Sequence, residues 1–135
     1  MPVELNHTIV HATDPVASTR FMSEVLGLPP AEPVGPFLAI RTANGVGLDY
    51  IRGEPPIWQE HYAFVVSDPE FDAIFERVKA RGLTWWADPA KAQPGRFNTR
   101  FGGRGFYFDD PDGHFLEVFT LPFGLTGPRA TPAAP

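Results

Sequence analysis

The sequence predicts an α+β fold built from two βαβββ modules, and three observations carry that prediction. The first is a duplication: His7 is followed seven residues on by Asp14-Pro15, and His61 is followed seven residues on by Asp68-Pro69. The second is punctuation. Each Asp-Pro opens a helical pattern that stops near a Gly-Leu pair, Gly27-Leu28 or Gly82-Leu83, and each half ends in a turn, Asn44-Gly45 or Asp112-Gly113. The third is chemical. A carboxylate stands four residues after each turn glycine, Asp49 in the first half and Glu117 in the second. A duplicated fold that repeats its histidine and its acid points to a metal site at the seam between the halves.

The elements follow in order. Leu5 to Ala12 reads as a strand with His7, Ile9 and His11 on one face. Asp14 suits a helix N-cap and Pro15 the first helical position; Phe21, Val25 and Leu28 recur at helical spacing until Gly27 and Pro29-Pro30 end the pattern. Phe37 to Arg41 and Val46 to Arg52 form a hairpin whose Asn44-Gly45 predicts a type I′ turn. Gly53 to Ile57, with Pro55-Pro56, is a linker.

The second half repeats the plan. Glu60 to Val66 is a strand with His61, Ala63 and Val65 on one face. Asp68-Pro69 starts a helix that buries Phe71, Ile74, Phe75 and Val78. Leu83 to Trp86 is a short strand, and Trp85-Trp86 either lines a pocket for a flat ligand or covers the core. Gly105 to Asp109 and His114 to Thr120 are strands joined by Asp110-Pro111-Asp112-Gly113. The expected organisation is one domain over 1–121, with module one at 3–53 and module two at 57–121. A Pro-rich tail over 122–135 is expected to be disordered.

The halves are offset by 54 residues at the histidines and by 68 at the turn glycines. The extra length falls between Ala87 and Gly103, a stretch with Lys91, Arg96, Asn98, Arg100 and Gly102-Gly103. It reads as a lid, a pocket wall or a surface insertion.

Composition narrows the function. The 135 residues suffice for one domain with a real core, and 43% apolar with 20% charged residues is ordinary for a globular protein. A net charge of −5 with scattered basic residues argues against nucleic acid as a partner, and no apolar run spans a bilayer. The start, Met-Pro-Val-Glu-Leu, does not read as a signal peptide. With no cysteine, a metal site must use N and O ligands, and the cytoplasm is the expected location.

Each module has one sheet face covered by its helix and the other open. Pairing two open faces makes a cup-shaped mixed sheet into which His7, Asp49, His61 and Glu117 would point. The pairing can form within one chain or between two, and the short linker favours a homodimer. Read alone, each histidine is equally a strand residue satisfied by its neighbours.

Three stretches carry a family resemblance: Leu5-Asn6-His7-Thr8-Ile9-Val10, Glu60-His61-Tyr62-Ala63-Phe64, and Gly105-Phe106-Tyr107-Phe108-Asp109-Asp110-Pro111-Asp112-Gly113-His114-Phe115-Leu116-Glu117. Together they resemble the vicinal oxygen chelate superfamily of glyoxalase I, extradiol dioxygenases and the fosfomycin- and bleomycin-resistance proteins, over residues 3 to about 121. The resemblance implies a divalent metal (Fe, Mn, Zn or Ni) held by His7, His61 and Glu117, with open positions for vicinal oxygens of a small-molecule substrate. Two histidines and a carboxylate suit that role chemically. Asp49 matches the place where glyoxalase I supplies a glutamate; here it is a ligand, an acceptor that orients a histidine, a base, or an exposed strand acid. Tyr107, ten residues before Glu117, resembles the tyrosine that reaches the substrate oxygen in extradiol dioxygenases. Tyr107 and Asp49 are therefore the candidate proton-handling groups. The stretch Phe97-Asn98-Thr99-Arg100 lacks the further histidines of the ring-cleaving members. His11 and His114 read as structural.

The expected function is a metal-dependent enzyme, dioxygenase-like or glyoxalase-like. The alternative is a metal-free protein that binds a drug or metabolite in an aromatic cavity, as in bleomycin resistance; aromatic residues are 13% of the chain.

Overall fold

In the computed structural model, residues 2–121 are described, and the disorder expected for 122–135 lies outside them. Contacts divide the chain into two compact units. One runs to Glu60 and includes Asp110–His114; the other comprises His61–Asp109 and the residues from Phe115 onward.

In the first unit, strand β1 (His7–Ala12) leads into helix α1 (Pro15–Leu26), followed by β2 (Glu32–Val34), β3 (Phe37–Arg41) and β4 (Gly47–Arg52). The Asp14 carboxylate accepts from the Ala17 N–H at 3.1 Å, and left-handed Gly27 ends the helix. The sheet order is β1-β4-β3-β2, with β1 parallel to β4 and the other pairs antiparallel. Alternation sends Val10, Ala12, Ile40, Leu48 and Tyr50 to the α1 side, where they are buried with Phe21, Met22 and Val25. The three-residue β2 supplies the strand that the βαβββ plan calls for but that no local signal bounds, and Pro33 is tolerated because β2 is an edge strand.

The second unit repeats this order with β5 (His61–Val65), α2 (Asp68–Ala80), β6 (Trp85–Trp86), β7 (Gly105–Asp109) and β8 (Phe115–Phe119), arranged β5-β8-β7-β6. The predicted fold class therefore holds: α+β, two βαβββ modules, each with a mixed four-stranded sheet. Ser67 caps α2, in a reciprocal capping box with Glu70. Phe71, Ile74 and Val78 are buried against Phe106, Phe108, Leu116 and Val118. Phe75 is half-buried and meets Trp85 edge-on at 5.1 Å. Arg104 donates to Asp72 and Asp68, both at 2.8 Å, and ties the start of β7 to the first turn of α2.

One turn differs from the sequence reading. Asn44-Gly45 does not form a type I′ turn, because among the described residues Lys91 is the one non-glycine with positive φ. Instead the Gly45 N–H donates to the Thr42 carbonyl at 2.9 Å, with left-handed Gly45 closing the turn at φ 85°. The second hairpin uses the same device: the Gly113 N–H donates to the Asp110 carbonyl at 3.1 Å, and Gly113 has φ 87°. By contacts the turn Asp110–His114 groups with the first unit, where the Asp112 carboxylate accepts from the Thr13 N–H and hydroxyl at 3.1 and 2.8 Å.

The extra segment is pinned, not loose. Asn98 exchanges both backbone hydrogen bonds with Gly105, and its side chain donates to the Ala87 carbonyl at 2.8 Å. A Cβ on Gly103 would stand 2.1 Å from the Thr120 carbonyl oxygen, so only glycine fits. Among the described residues no helix is long and apolar enough to cross a membrane.

Candidate metal centre

The register of each sheet repeats the same constellation. In the first unit His7 pairs with Gly47, and Asp49 lies between Ile9 and Ala39. In the second, His61 pairs with Phe115, and Glu117 lies between Ala63 and Tyr107. Asp49 thus occupies the place in its sheet that Glu117 occupies in the other. In both units the histidine opens the strand and the acid sits on its parallel neighbour, two residues beyond the histidine's partner. Strand alternation puts both on the face away from the helix.

In the second unit, His61, Glu117 and Tyr107 come together. The His61 Nδ1–H donates to the Phe115 carbonyl at 2.9 Å. A carbonyl can only accept, so a neutral imidazole bears its lone pair on Nε2. That Nε2 faces Glu117 Oε1 at 3.2 Å, with the two side chains 48% and 15% exposed. An ionised Glu117 is also an acceptor, so two electron-pair donors face each other. A shared proton or a cation resolves such a meeting.

Tyr107 is buried, with its ring stacked on Phe115 at 5.2 Å and centred 6.0 Å from the His61 ring. Its hydroxyl accepts from Arg100 Nη2 at 2.8 Å. Burial pushes the phenol above its ordinary pKa, the Arg100 hydrogen bond opposes this, and the Glu117 charge adds to the rise.

The first unit brings His7 and Asp49 together. His7 Nδ1 donates to Asn6 Oδ1 at 2.8 Å, which again leaves Nε2 as the electron-pair donor. A Cβ at Gly47 would lie 3.1 Å from Asp49 Oδ1 and 3.2 Å from His7 Cβ. Glycine keeps open the space between acid and histidine, a role the sequence reading missed. His7 is exposed and Asp49 half-buried.

Of the other histidines, His114 is built into the fold. His114 is buried; Nδ1 accepts from the Glu60 N–H at 3.0 Å, and Nε2 donates to the His11 carbonyl at 2.8 Å. His11 borders a cavity of about 290 Å³ with Gly53, Glu54, Pro56, Ile57 and Trp58, which includes none of the candidate ligands. Trp85 packs on Phe75 at the helix side, while Trp86 pairs with Tyr107 on the face of His61. Arg100 was visible in the sequence only as one of several basic residues in the extra segment.

The donor types at these positions, imidazole nitrogen and carboxylate oxygen, are those a divalent metal takes. Each histidine has Nδ1 held by an oxygen, the usual support for a ligating Nε2, and Glu117 adds a carboxylate. Among the described residues no group of three or more His, Cys, Asp or Glu side chains stands close enough to hold a metal ion.

Residues 4–118 match the model of the Glyoxalase/Bleomycin resistance protein/Dioxygenase superfamily. The chain is 31% identical over 128 residues to the glutathione transferase FosA of Serratia marcescens, covering 84% of this chain and 78% of that protein. It is similar to the solved structure of the oxidase ChaP-H1, with 54% identity, a TM-score of 0.87, and coverage of 92% of this chain and 100% of that one. The oxidase ChaP-H2 matches with 50% identity, a TM-score of 0.88, and coverage of 94% and 100%.

Proposed function

The chain belongs to the Glyoxalase/Bleomycin resistance protein/Dioxygenase superfamily, and on that premise we propose that it is a metal-dependent oxidase of a small oxygenated molecule, with His7, His61 and Glu117 as the metal ligands. The observation that carries this reading is the pair of electron donors His61 Nε2 and Glu117 Oε1, 3.2 Å apart, with Nδ1 tied to the Phe115 carbonyl. The names of the two structures at 54% and 50% identity favour oxygen chemistry over isomerisation, so the preferred metal is Fe(II). When bound, the metal supplies Lewis acidity and, if redox-active, electrons for dioxygen.

The chain's own residues do the rest. The Phe115 carbonyl and Asn6 orient the two imidazoles. The Tyr107 oxygen accepts from Arg100, so its own proton is left for Glu117 or a substrate oxygen. Asp49, beside His7, is the second proton-handling group.

The relative named as a glutathione transferase, at 31% identity, supports a second reading in which the same ligands serve group transfer. Anaerobic Fe(II) reconstitution followed by oxygen uptake with a panel of catechols tests the first. Uptake that requires Fe(II) supports it. Turnover of a hemithioacetal or a thiol acceptor with Zn(II) or Ni(II), and none with Fe(II) and oxygen, would replace it. Tight binding of a planar ligand that survives loss of His7, His61 and Glu117 together would favour a metal-free binding protein.

A further inference from the structure

Lys91 is the one non-glycine residue with positive φ among the described residues, at 60°. Lysine is strained there, and glycine or asparagine would relieve it, so the position is held for its side chain. The turn around it is locked. The Lys91 N–H donates to the Asp88 carbonyl at 3.2 Å, and the Asp88 carboxylate accepts from the N–H groups of Ala92 and Gln93 at 3.0 and 2.8 Å.

This turn delivers the ammonium to the sheet face that carries His61 and Glu117. Nζ lies 4.5 Å from the centre of the Trp86 ring and 5.0 Å from that of Phe115, and it pairs with Asp109 at 2.9 Å. The Phe115 ring is centred 5.9 Å from the His61 ring, which places Nζ within about 11 Å of the imidazole centre by way of Phe115. Arg100, from the same extra segment, stands on Tyr107 of that face. A chain of net charge −5 thus brings two cations from one segment to a single face. The Lys91 side chain is 38% exposed, and its third donor is not needed by Asp109. Beside it Phe115 stacks on Tyr107 at 14°, with the His61 ring at 28° to Tyr107 and 42° to Phe115, so that aromatic side chains surround the approach to His61.

Resting on the metal-site reading above, we propose that Lys91 is a specificity-determining residue. It seats the carboxylate of a planar substrate whose adjacent oxygens are taken at His61 and Glu117. The substrate class is a hydroxylated aromatic acid, oxygens at one end and carboxylate at the other. Asp109 holds the ammonium in place and moderates its charge.

The test uses the Zn(II)-loaded protein, titrated calorimetrically with catechol and with 3,4-dihydroxybenzoate, probes that differ only in the carboxylate. The wild type should bind the acid about tenfold more tightly, the worth of one charge-assisted contact. Lys91→Asn suits the left-handed turn but removes the stem and ammonium and unpairs Asp109, so it is made together with Asp109→Asn; the pair should erase that margin and leave catechol affinity within about twofold. Lys91→Arg should keep most of it. A margin that persists in the Lys91→Asn, Asp109→Asn pair, or equal affinities in a wild type that loads Zn(II), overturns the proposal. A wild type that takes up no Zn(II) overturns instead the metal reading on which it rests.

Discussion

His61 Nε2 and Glu117 Oε1 stand 3.2 Å apart on neighbouring parallel strands, with the other nitrogen of His61 committed to the Phe115 carbonyl. The imidazole is held at Nδ1, so Nε2 and the carboxylate converge, and a shared proton or a cation between them satisfies both. The arrangement follows from register: Glu117 lies two residues beyond Phe115, the partner of His61.

His61→Ala and Glu117→Gln should each lower Zn(II) or Co(II) affinity at least about 100-fold in a chelator competition, more than loss of an outer hydrogen bond costs. Asn6→Ala, which frees His7 Nδ1, should weaken binding by about tenfold. Unchanged affinity in His61→Ala would end the metal proposal.

The two histidines belong to different units, and we propose a homodimer in which His7 of one chain serves with His61 and Glu117 of the other. Mixing inactive His7→Ala with inactive His61→Ala should restore about a quarter of wild-type activity, since half of randomly mixed dimers carry one intact site of two. No recovery, with subunit exchange demonstrated by mass, would assign complete sites to single chains.

Asp110 gives a signed pH prediction. Its Oδ1 accepts from the Asp112 and His114 N–H groups at 2.9 and 2.8 Å, but its buried Oδ2 has no hydrogen-bond partner among the described residues. Burial pushes the carboxyl above its ordinary pKa. A raised folded-state pKa contributes stability that is fully present below the unfolded value and lost as pH rises through the folded one. Urea unfolding should therefore show wild type gaining on Asp110→Asn as the pH falls from 7 to 4. A gap that moves the other way would mean that the two hydrogen bonds to the ionised form outweigh burial.

Ser67→Ala removes the α2 cap and half of its capping box with Glu70. The expected loss is about 1 kcal/mol, read as a lower thermal midpoint with metal affinity unchanged. A midpoint equal to wild type would show that tertiary packing alone defines the start of α2.

Much of this was legible in the amino-acid order because it is written in local signals. Period-two alternation, the Asp14 cap, Gly27, and the Asp-Pro and turn pairs act over a few residues, and the duplication presents them twice. They sufficed for the α+β class and for the strands Phe37–Arg41 and Gly105–Asp109, whose bounds agree to the residue. The face shared by His61 and Ala63 was equally readable. Other features were decided only when distant segments met. Which carbonyl takes His61 Nδ1, the pairing of Tyr107 with Arg100, the space kept by Gly47, and the grouping of Asp110–His114 with the first unit all depend on register and packing across many residues. The strained backbone of Lys91 belongs with these. No propensity predicts a left-handed lysine; the turn held by Asp88 sets its backbone, and Asp109 with the rings of Trp86 and Phe115 receives its ammonium.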